Sequence, residues 1–465
     1  MSSTDSMASL QFDTIQRHAG RGPRYTSYPP ATSWTEAIGP ADLIAAVAEL
    51  GTRKEPPPLS VYVHMPFCPS MCWFCACNVL VTKRLDLADV YLDRVEREFE
   101  MLGPSIPQNG RTVQIHWGGG SPSYLTPKQM ERLYGLIRAH FTPTEDAEIA
   151  LEVDPRITGP EHLACLRELG FNRLSMGVQD FDDTVQHAIN RVQSGDMTSE
   201  FVDRCRTSGF HSLNMDLIYG LPEQTEKSFA DTLGRVIEIR PDRLAIYGYA
   251  HVPWLKPFQR RIPQETIPGP DLRFKLFRSA LEKLFEAGYE YIGMDHFALP
   301  GDELATARRN GTLHRNFMGY STRAGAELIG FGLSSISYVG GMYAQNEHKL
   351  NPYYALVDAG GLPVIRGYRL TKDDDIRNDV IQDLMCNSVI RKAAIESKHH
   401  IDFDRYFASE LQALVPLEAD GLVQIFADRV EATFLGRILV RTIAMRFDAH
   451  LPKESQGLAR FSATV

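Results

Sequence analysis

Between Leu59 and Val252, strand-like and helix-like stretches alternate six times, and this alternation limits the possible folds more than any other feature of the chain. The strand-like stretches are LSVYVHM, TVQIHW, AEIALEV, FNRLSMGV, LNMDLIYG and DRLAIYGYAHV. Between them apolar residues recur at helical spacing, as in PKQMERLYGLIRAHF. Strands joined through helices make right-handed crossovers and a parallel sheet. The pattern predicts an α/β fold built on a partial (β/α)6 barrel, with an open doubly wound sheet as the alternative.

The rest of the chain is predicted to form three further regions around this barrel domain, which we place at residues 56–300. Residues 1–55 form an N-terminal arm with one helix-like stretch, PADLIAAVAEL, and the proline-rich connector RKEPPP follows at its end. Residues 301–364 form a barrel extension with connecting loops, in which Gly340–Pro363 is loop-rich. Residues 365–465 form a mostly helical C-terminal domain, where GLVQI and RVEAT are expected to pair as a small hairpin.

Charge and composition exclude several classes of protein. The 465-residue chain has a formal net charge of −9, which argues against a general binder of nucleic acid or anionic membranes. Its first residues lack the basic and apolar regions of a secretory signal. No stretch approaches the roughly 18 uninterrupted apolar residues of a membrane-spanning helix. Because Cys165, Cys205 and Cys386 are widely scattered, a disulfide framework is not indicated, and we expect a cytoplasmic protein.

The loop CPSMCWFCAC, from Cys68 to Cys77, contains four of the seven cysteines. Their spacing is C-x3-C-x2-C-x-C, directly after the first predicted strand, where parallel α/β folds place functional loops. Structural zinc sites pair two C-x2-4-C clips across a longer insert, whereas iron–sulfur clusters also use closely spaced cysteines. The loop therefore favours an iron–sulfur site, with zinc or buried metal-free thiols as alternatives. Trp73 and Phe74 either anchor this loop or shield the metal group.

Glycines and polar residues follow the predicted strands at their carboxyl ends. Taken singly, each is compatible with a structural role. Because the carboxyl ends of parallel strands meet at one edge, which we call the mouth of the barrel, together they predict a shared site. The glycines of WGGGSPS also let a ligand approach the backbone closely. The strand-end residues are Gly119, Gly120, Ser121, Glu152, Gln179, Arg191 and Ala250, and Asp216 lies on the fifth predicted strand.

The C-x3-C-x2-C part resembles the signature of the radical S-adenosylmethionine (SAM) superfamily. This resemblance implies that Cys68, Cys72 and Cys75 bind one [4Fe–4S] cluster and leave its fourth iron open to SAM. One electron from the cluster then cleaves SAM into methionine and a 5′-deoxyadenosyl radical. Cys77 is the extra cysteine, and as a fourth ligand it would close the open iron and abolish this chemistry.

Longer motifs extend the resemblance from Gly22 into the C-terminal region. They are GPRYTSYP, YVHMPFC, CNVLVTKR, IHWGGGSPSYL, EVDPR, NRLSMGVQDF, MDLIYGLPEQT, IGMDHFA, LHRNFMGY and YAQN. In this order they are similar to the oxygen-independent coproporphyrinogen III oxidase (dehydrogenase) family of haem biosynthesis. The resemblance implies radical SAM-dependent oxidative decarboxylation of two propionates of coproporphyrinogen III to vinyl groups, giving protoporphyrinogen IX. One departure is GGGSPS, where the family commonly has threonines and this chain retains the hydroxyls as serines.

The resemblance also implies two SAM molecules beside the one cluster. By position, the contacts of the cluster-bound SAM are Tyr62, Gly119, Glu152 and Ile336. The contacts of the second SAM are Phe74, Gly120, Ser121, Gln179, Arg191, Asp216 and Ala250. Tyr62 and Cys77 are assigned as catalytic, Cys77 as a required residue that is not a ligand.

Further expectations concern partners and the substrate. The resemblance implies coproporphyrinogen III as substrate and a low-potential electron donor such as flavodoxin or ferredoxin, and we expect a monomer with no nucleic-acid or membrane partner. The alternative is a related haem chaperone, a group that typically lacks both the C-x-C cysteine and the GPRYTSYP arm. That arm is expected to act as a lid over the mouth or as a strap on the barrel wall. Candidates for binding substrate carboxylates are Arg24, Lys83, Arg84, His251, His314 and Arg315.

Overall fold

The computed structural model describes residues 12–451, and a 12-stranded mixed sheet forms its centre. The strands are β1 (Leu59–Met65), β2 (Phe67–Cys68), β3 (Leu80–Val81), β4 (Arg111–Gly119), β5 (Thr142–Val153), β6 (Arg173–Gln179), β7 (Ser212–Tyr219), β8 (Arg243–Gly248), β9 (Glu290–Gly293), β10 (His296–Ala298), β11 (His314–Asn316), β12 (Gly319–Ser321), β13 (Glu327–Phe331), β14 (Ile336–Val339), β15 (Met342–Asn346), β16 (Val364–Arg369), β17 (Val389–Arg391), β18 (Val423–Ile425) and β19 (Arg429–Ala432).

The helices cover both the barrel and the C-terminal region. Those up to the sixth parallel strand are Phe12–His18, Pro40–Leu50, Asp86–Leu102, Pro127–His140, Pro160–Glu168, Asp183–Ala188, Gly195–Thr207 and Glu226–Ile239. The later ones are Pro270–Glu286, Glu303–Asn310, Leu350–Asp358, Lys372–Gln382, Lys392–His399, Phe403–Tyr406, Ala408–Ala419, Phe434–Ile438 and Val440–Ala444. Within residues 12–451, no helix combines the length and the apolar character that crossing a membrane requires.

Six neighbouring strands of the large sheet are parallel, in the order β1-β4-β5-β6-β7-β8. Helices connect most of them, so the predicted βα alternation and the partial barrel are confirmed. The sheet continues on both sides of these six strands. β13 pairs with β1 in parallel and leads to the antiparallel strands β14, β15 and β16. β10 and β9 add an antiparallel edge next to β8.

Apolar periodicity and capping residues explain why these segments form helices. In Asp86–Leu102 the buried face includes Tyr91, Val95 and Phe99, and Phe99 stacks on Phe331 of β13 with ring centroids 3.8 Å apart. Thr126 is the N-cap of the helix Pro127–His140, and its hydroxyl accepts a hydrogen bond from the Gln129 backbone N–H. These helices bury their apolar faces against the parallel strands, whose own burial is nearly continuous along β1.

Two regions differ from the sequence predictions. Gly340–Pro363, expected to be loop-rich, contains β15 and the helix Leu350–Asp358, so that expectation is wrong. Met342, Ala344 and Asn346 are buried, and β15 pairs with β14 on one side and β16 on the other, a context that a short segment does not reveal. The predicted hairpin is confirmed as β18 and β19, and β17 adds a third strand to it.

The N-terminal arm packs as a strap, which we define as residues Gly22–Pro29. The side chains of Tyr25 and Tyr28 are fully buried. The Tyr25 hydroxyl donates to the Asp448 carboxylate at 3.0 Å, and the backbone N–H of Ala449 donates to the Tyr28 hydroxyl at 3.1 Å. These contacts favour the strap, the alternative to a lid over the mouth.

Further contacts fix the strap between the barrel and the C-terminal region. Arg441 donates to the carbonyl oxygens of Gly22 and Pro23. Arg24 forms an ion pair with Asp295, which follows β9. The parts of the predicted arm and C-terminal domain at 1–11 and 452–465 lie outside the described residues. The division at residues 55, 300 and 364 stays a prediction.

Candidate active site

Hydrogen bonds hold the cysteine loop in place along its whole length. At its base, β2 pairs with β3, and the Thr82 backbone N–H donates to the Cys68 carbonyl at 3.0 Å. In its middle, the backbone N–H of Trp73 donates to the Ile189 carbonyl at 2.9 Å, and the side-chain amide of Gln259 donates to the Phe74 carbonyl at 2.9 Å. At its end, Lys256 donates to the Cys77 carbonyl at 2.8 Å. The loop is therefore preorganised by three neighbouring segments.

Each of the three predicted cluster ligands has a hydrogen-bonding group beside its sulfur. The Ser121 hydroxyl lies 3.7 Å from Cys68 Sγ, and the Cys77 backbone N–H donates to Cys75 Sγ at 3.4 Å. Arg191 and Arg156 approach Cys72 Sγ at 3.6 and 3.8 Å. Donors around thiolates are a common means of tuning iron–sulfur sites. The donor set therefore fits the cluster that the spacing predicts.

The acid–base properties of the thiols differ along the loop. A hydrogen bond from the Cys77 side chain lowers the pKa of Cys75 to about 7, although burial opposes the change. The same contact with Cys75 raises the pKa of Cys77. Burial raises the pKa of Cys68 to about 12. Among the described residues, no three His, Cys, Asp or Glu side chains converge on a point suited to one metal ion.

Asp154 holds the two arginines that face Cys72. Its carboxylate accepts from Arg156 at 2.7 Å and lies 3.5 Å from Arg191 Nη2. Burial works to raise the pKa of Asp154, but the two guanidinium groups outweigh it and keep the pKa below the usual value. Arg156 was not among the predicted site residues, although it ends the quoted motif EVDPR. Its position three residues after the end of β5, at the mouth, is the feature of the sequence that could have identified it.

The glycine turn after β4 is folded tightly against the first strand. The Gly120 N–H donates to the Met65 carbonyl at 2.7 Å, and a Cβ at Gly120 would lie 2.6 Å from the Phe67 carbonyl oxygen. Gly119 has a φ of +113°, which favours glycine, and a Cβ there would clash with the His64 ring. Both positions therefore need glycine for a close backbone approach at the mouth.

Glu152 and Tyr62 lie on neighbouring sides of this turn. A Glu152 carboxylate oxygen accepts from the Gly119 N–H at 3.2 Å, while the other lies 3.7 Å from His116 Nε2. The Tyr62 ring stacks on His116, and its hydroxyl lies 3.2 Å from His64 Nδ1. His64 Nε2 bonds the Asn78 carbonyl at 3.0 Å. Both ring nitrogens of His64 thus have partners, as expected for a structural histidine.

Gln179 and Arg191 leave buried polar atoms without a protein partner. Arg191 donates to the Gly177 carbonyl at 2.6 Å and to Gln193 at 3.0 Å, yet its Nε has no partner within the described part of the chain. The Gln179 side-chain oxygen also has none, and Gln179 has a φ of 73°, uncommon for a residue with a side chain. Such atoms at a strand end suit a polar ligand.

Asp216 lies on β7 directly beside Gly177 of β6. Its carboxylate accepts from the Asn214 amide at 2.8 Å. Burial raises the pKa of Asp216 to about 7; the charge of Glu152 adds to the effect and that of Arg191 opposes it. Asp216 is therefore near enough to Glu152 and Arg191 for their charges to affect its pKa, although it lies in the middle of β7 and not at its carboxyl end.

Trp73 and Phe74 pack against a small apolar cluster at the mouth. Its members are Val185, Ile189, Ile218, Leu221, Tyr249 and Ile262. This packing supports the anchoring role considered for the two aromatic residues, and Arg261 lies over the Trp73 ring at 5.7 Å. The Trp73 Nε1 is a further buried donor without a partner among residues 12–451.

Two predicted residues lie farther along the mouth. Ala250 is exposed two residues after β8 ends, on the wall of a cavity of about 540 Å³. Ile336 is the first residue of β14. Gly330, which pairs with Tyr62 in the sheet, is close to it, because a Cβ added at Gly330 would lie 2.6 Å from the Ile336 carbonyl oxygen. Ile336 thus belongs to the Tyr62 side of the mouth, and Ala250 to the opposite side.

The predicted carboxylate-binding residues separate into different places. Arg24 and His251 line the 540 Å³ cavity. Arg315 is buried and donates to the Arg24 carbonyl at 3.3 Å, so it supports the strap. Lys83 and Arg84 are exposed, and Arg84 pairs with Asp86, while His314 does not line the cavity. Sequence reasoning missed Arg273 and Arg441, which line the cavity from distant helices.

Comparison with known proteins places these features in a family context. The model of the radical SAM superfamily matches residues 62–236, which include the cysteine loop and five of the six parallel strands in whole or in part. An oxygen-independent coproporphyrinogen III oxidase of Escherichia coli is 46% identical over 452 residues, covering 97% of each chain. One from Synechocystis sp. is 44% identical over 438 residues, covering 93% of this chain and 94% of the relative.

A solved structure agrees with the sequence comparisons. The coproporphyrinogen III oxidase of Escherichia coli, described as a radical SAM enzyme, superimposes with a TM-score of 0.89 at 46% identity. The match covers 92% of this chain and 98% of that one. The similarity therefore extends through the barrel and most of the remaining chain.

Proposed function

The chain belongs to the oxygen-independent coproporphyrinogen III oxidase family of the radical SAM superfamily, and from this we propose the reaction that it catalyses. It converts two propionate side chains of coproporphyrinogen III to vinyl groups by radical SAM-dependent oxidative decarboxylation. The product is protoporphyrinogen IX, in haem biosynthesis. The β-hydrogen of a propionate is too weakly acidic for a side-chain base, so a radical route suits the substrate.

The observation that carries this proposal is the cysteine loop at the mouth of the barrel. Cys68, Cys72 and Cys75 each have a hydrogen-bonding group at the sulfur, and none of these three thiols is fully buried. Membership of the superfamily implies a [4Fe–4S] cluster and SAM. We assign the three thiolates as the cluster ligands. When bound, the cluster and SAM supply one-electron chemistry that removes an unactivated hydrogen atom from carbon.

The arginines beside Cys72 stabilise negative charge at the sulfur. Arg156 and Arg191 are held by Asp154, so they stay directed at the loop without needing a substrate to order them. A guanidinium donates through several fixed N–H groups, which suits both a thiolate and a carboxylate. We propose that Arg191 donates its remaining N–H to SAM, since its Nε has no protein partner among the described residues.

Two sets of residues are proposed to bind two SAM molecules. Those beside the cluster-bound SAM are Tyr62, Gly119, Glu152 and Ile336. Those beside the second SAM are Phe74, Gly120, Ser121, Gln179, Arg191, Asp216 and Ala250. The glycines let backbone groups approach, and the polar atoms of Gln179 and Asp216 fix orientation. Trp73 and Phe74 exclude water from this side of the mouth.

Cys77 is proposed to be required without being a ligand. It is exposed, and its side chain hydrogen-bonds Cys75 instead of pointing away from the loop. Tyr62 is proposed as the second catalytic residue, on the strand that leads into the loop.

The proposed partners follow from the reaction. The substrate is coproporphyrinogen III, and a low-potential donor such as flavodoxin or ferredoxin supplies electrons. We propose a cytoplasmic monomer that binds neither nucleic acid nor membrane.

An anaerobic turnover assay with coproporphyrinogen III, SAM and a reductant tests the function. We expect protoporphyrinogen IX together with methionine and deoxyadenosine. The alternative in this family neighbourhood, a haem chaperone, would instead bind haem tightly and give no product. A matched assay without reductant controls for oxidation of the porphyrinogen by traces of air.

A further inference from the structure

The cavity of about 540 Å³ lies where the strap, the mouth of the barrel and the C-terminal region meet. Much of its wall is aromatic, which suits a ligand built from flat rings. The aromatic lining residues are Phe12, Tyr219, Tyr247, Tyr249, Trp254, Phe274 and Phe277. Ala250 lies on the same wall, so the cavity borders the proposed site of the second SAM.

Arginines line this cavity beside the aromatic rings, namely Arg21, Arg24, Arg273 and Arg441. Arg24 pairs with Asp295, which is also in the lining. Arg441 is engaged by the strap, because it donates to the carbonyl oxygens of Gly22 and Pro23. Keeping a guanidinium out of water costs free energy, and an anionic ligand offsets that cost.

Arg273 is the member of this set whose position best suits a ligand. It lies on the helix Pro270–Glu286, where Lys275 and Arg278 both have acidic partners. Its Nη1 donates to the Tyr249 carbonyl at 2.9 Å, and its guanidinium lies over the Tyr219 ring at 5.8 Å. Among residues 12–451, no carboxylate lies within 4.0 Å of it, the limit that defines the ion pairs of its two helix neighbours.

A glycine lets this guanidinium reach the mouth. A Cβ at Gly248, the last residue of β8, would lie 3.2 Å from Arg273 Nη2 and 3.0 Å from the Tyr219 hydroxyl. Any larger residue there would compete with the guanidinium for space. Gly248 and Arg273 therefore place a cation directly beside the strand end that leads to Ala250.

We propose that this cavity binds the coproporphyrinogen substrate and that Arg273 binds one of its propionate carboxylates. The inference rests on the proposed function and names the residues that would recognise its substrate. The aromatic wall receives pyrrole rings, and a guanidinium binds a carboxylate through two parallel hydrogen bonds. Arg24 stays paired with Asp295 and fixes the strap as the cavity wall.

A second cavity, of about 890 Å³, is a weaker candidate. It also has arginines, but Arg429 pairs with Asp428 and Glu431, so part of its positive charge is already neutralised. None of the residues proposed to bind SAM or the cluster lines it. Substrate bound there would be separated from the mouth.

Steady-state kinetics of the reconstituted holoenzyme under anaerobic conditions test the proposal. Arg273→Gln is expected to raise KM for coproporphyrinogen III at least ~10-fold, the loss of one charge-assisted hydrogen-bonded pair. Arg273→Lys keeps the charge and is expected to fall between wild type and Arg273→Gln. The matched control is Arg278→Gln on the same helix, which is expected to leave KM unchanged. Iron and sulfide contents and circular dichroism verify that each variant is folded.

Direct binding separates carboxylate recognition from turnover. The redox-stable probe coproporphyrin III and its tetramethyl ester are titrated into wild type and variants, with porphyrin fluorescence as the signal. The wild type is expected to prefer the free acid, and Arg273→Gln is expected to lose most of that preference. A wild-type KM and a wild-type preference in Arg273→Gln would overturn the inference while leaving the proposed function intact. A wild-type enzyme that neither converts nor binds these compounds would overturn the proposed function, and the inference with it.

Discussion

Glu98 and Arg191 both have ionisable side chains, and both lie within the fold, 2% and 7% exposed. Glu98 accepts hydrogen bonds from the Gly332 backbone N–H at 3.1 Å, from the Asn346 amide at 2.9 Å and from the Tyr353 hydroxyl. We call these four residues the closed cluster. In this cluster protein donors from three distant segments contact the Glu98 carboxylate. The cluster therefore joins the helix Asp86–Leu102 to segments more than 230 residues away.

The surroundings of Arg191 are organised differently. We call Asp154, Arg156, Gln179, Arg191 and Cys72 the open cluster. Asp154 is close to both arginines, and both arginines approach Cys72 Sγ. Gln179 and Arg191 each keep a buried polar atom without a protein partner in the described residues. Buried polar groups in native proteins are nearly always satisfied. The two clusters thus differ in what they leave available: the carboxylate of Glu98 already has its protein donors, whereas Gln179 and Arg191 keep polar atoms that a ligand at the mouth can use.

The largest expected effect comes from removing a thiol of the open cluster. Cys72→Ala is expected to lower bound iron and to reduce turnover at least ~100-fold, because a cluster ligand is lost. Iron analysis and the anaerobic assay measure both quantities. Cys165→Ala is the control and should retain both, because Cys165 is a buried core residue whose thiol donates to the Pro127 carbonyl at 3.6 Å. Full iron and activity in Cys72→Ala would contradict the ligand assignment.

Cys77→Ser separates ligation from catalysis within the same loop. We expect the cluster to assemble and turnover to be lost, because Cys77 is exposed and contacts Cys75 without being a proposed ligand. Electron paramagnetic resonance of the reduced enzyme, with and without SAM, checks the cluster. Retained turnover would remove any special role for Cys77.

Arg191→Lys tests whether the unpartnered Nε of Arg191 binds SAM. Lysine keeps the charge but loses the planar fork and the Nε donor, so we expect KM for SAM to rise about 10-fold with bound iron retained. Arg167→Lys is the control, since Arg167 donates to the Phe171 carbonyl and lies over Phe210, away from the mouth. An unchanged KM for SAM would show that the unpaired Nε does not serve a ligand.

The closed cluster is expected to affect stability and its pH dependence, with little effect on catalysis. Burial raises the pKa of Glu98 from 4.5 to about 7, so the folded state keeps a proton that the unfolded chain releases. The stabilisation is complete below pH 4.5 and is lost as pH rises to about 7, by up to about 3 kcal/mol. Melting temperatures at pH 5.5 and 8 should differ more in the wild type than in Glu98→Gln.

The control for this measurement is Glu100→Gln, an exposed position on the same helix. It is expected to show the wild-type pH dependence. If Glu98→Gln also keeps that dependence, Glu98 is not the titrating group.

The sequence predicts the barrel well because its signals are local. Apolar alternation in LSVYVHM and helical periodicity after Leu85 each lie within about 20 residues, and the strand-end residues follow from the parallel topology. Glu152 and Gln179 lie at the carboxyl ends of β5 and β6, whereas Asp216 lies in the middle of β7. Their precise roles toward SAM stay predictions, because side-chain contacts with a ligand depend on the ligand.

The missed features depend on pairings between distant segments. β13 joins β1 across more than 260 residues, and β15 pairs with both β14 and β16. Arg273 carries no local motif, and its place in the cavity follows from how one helix packs on β7 and β8. Local sequence patterns do not contain such information.

The strap has a consequence for the order in which the molecule is completed during synthesis. When residue 400 leaves the ribosome, the large sheet and the cysteine loop are already made, but Arg441 and Asp448, which fasten the strap, are not. Domains generally fold as they emerge, from the N-terminus onward. The cysteine loop therefore has a barrel to pack on before the 540 Å³ cavity has its final wall. A chain that ends near residue 430 would keep the loop on its barrel and lack the complete cavity.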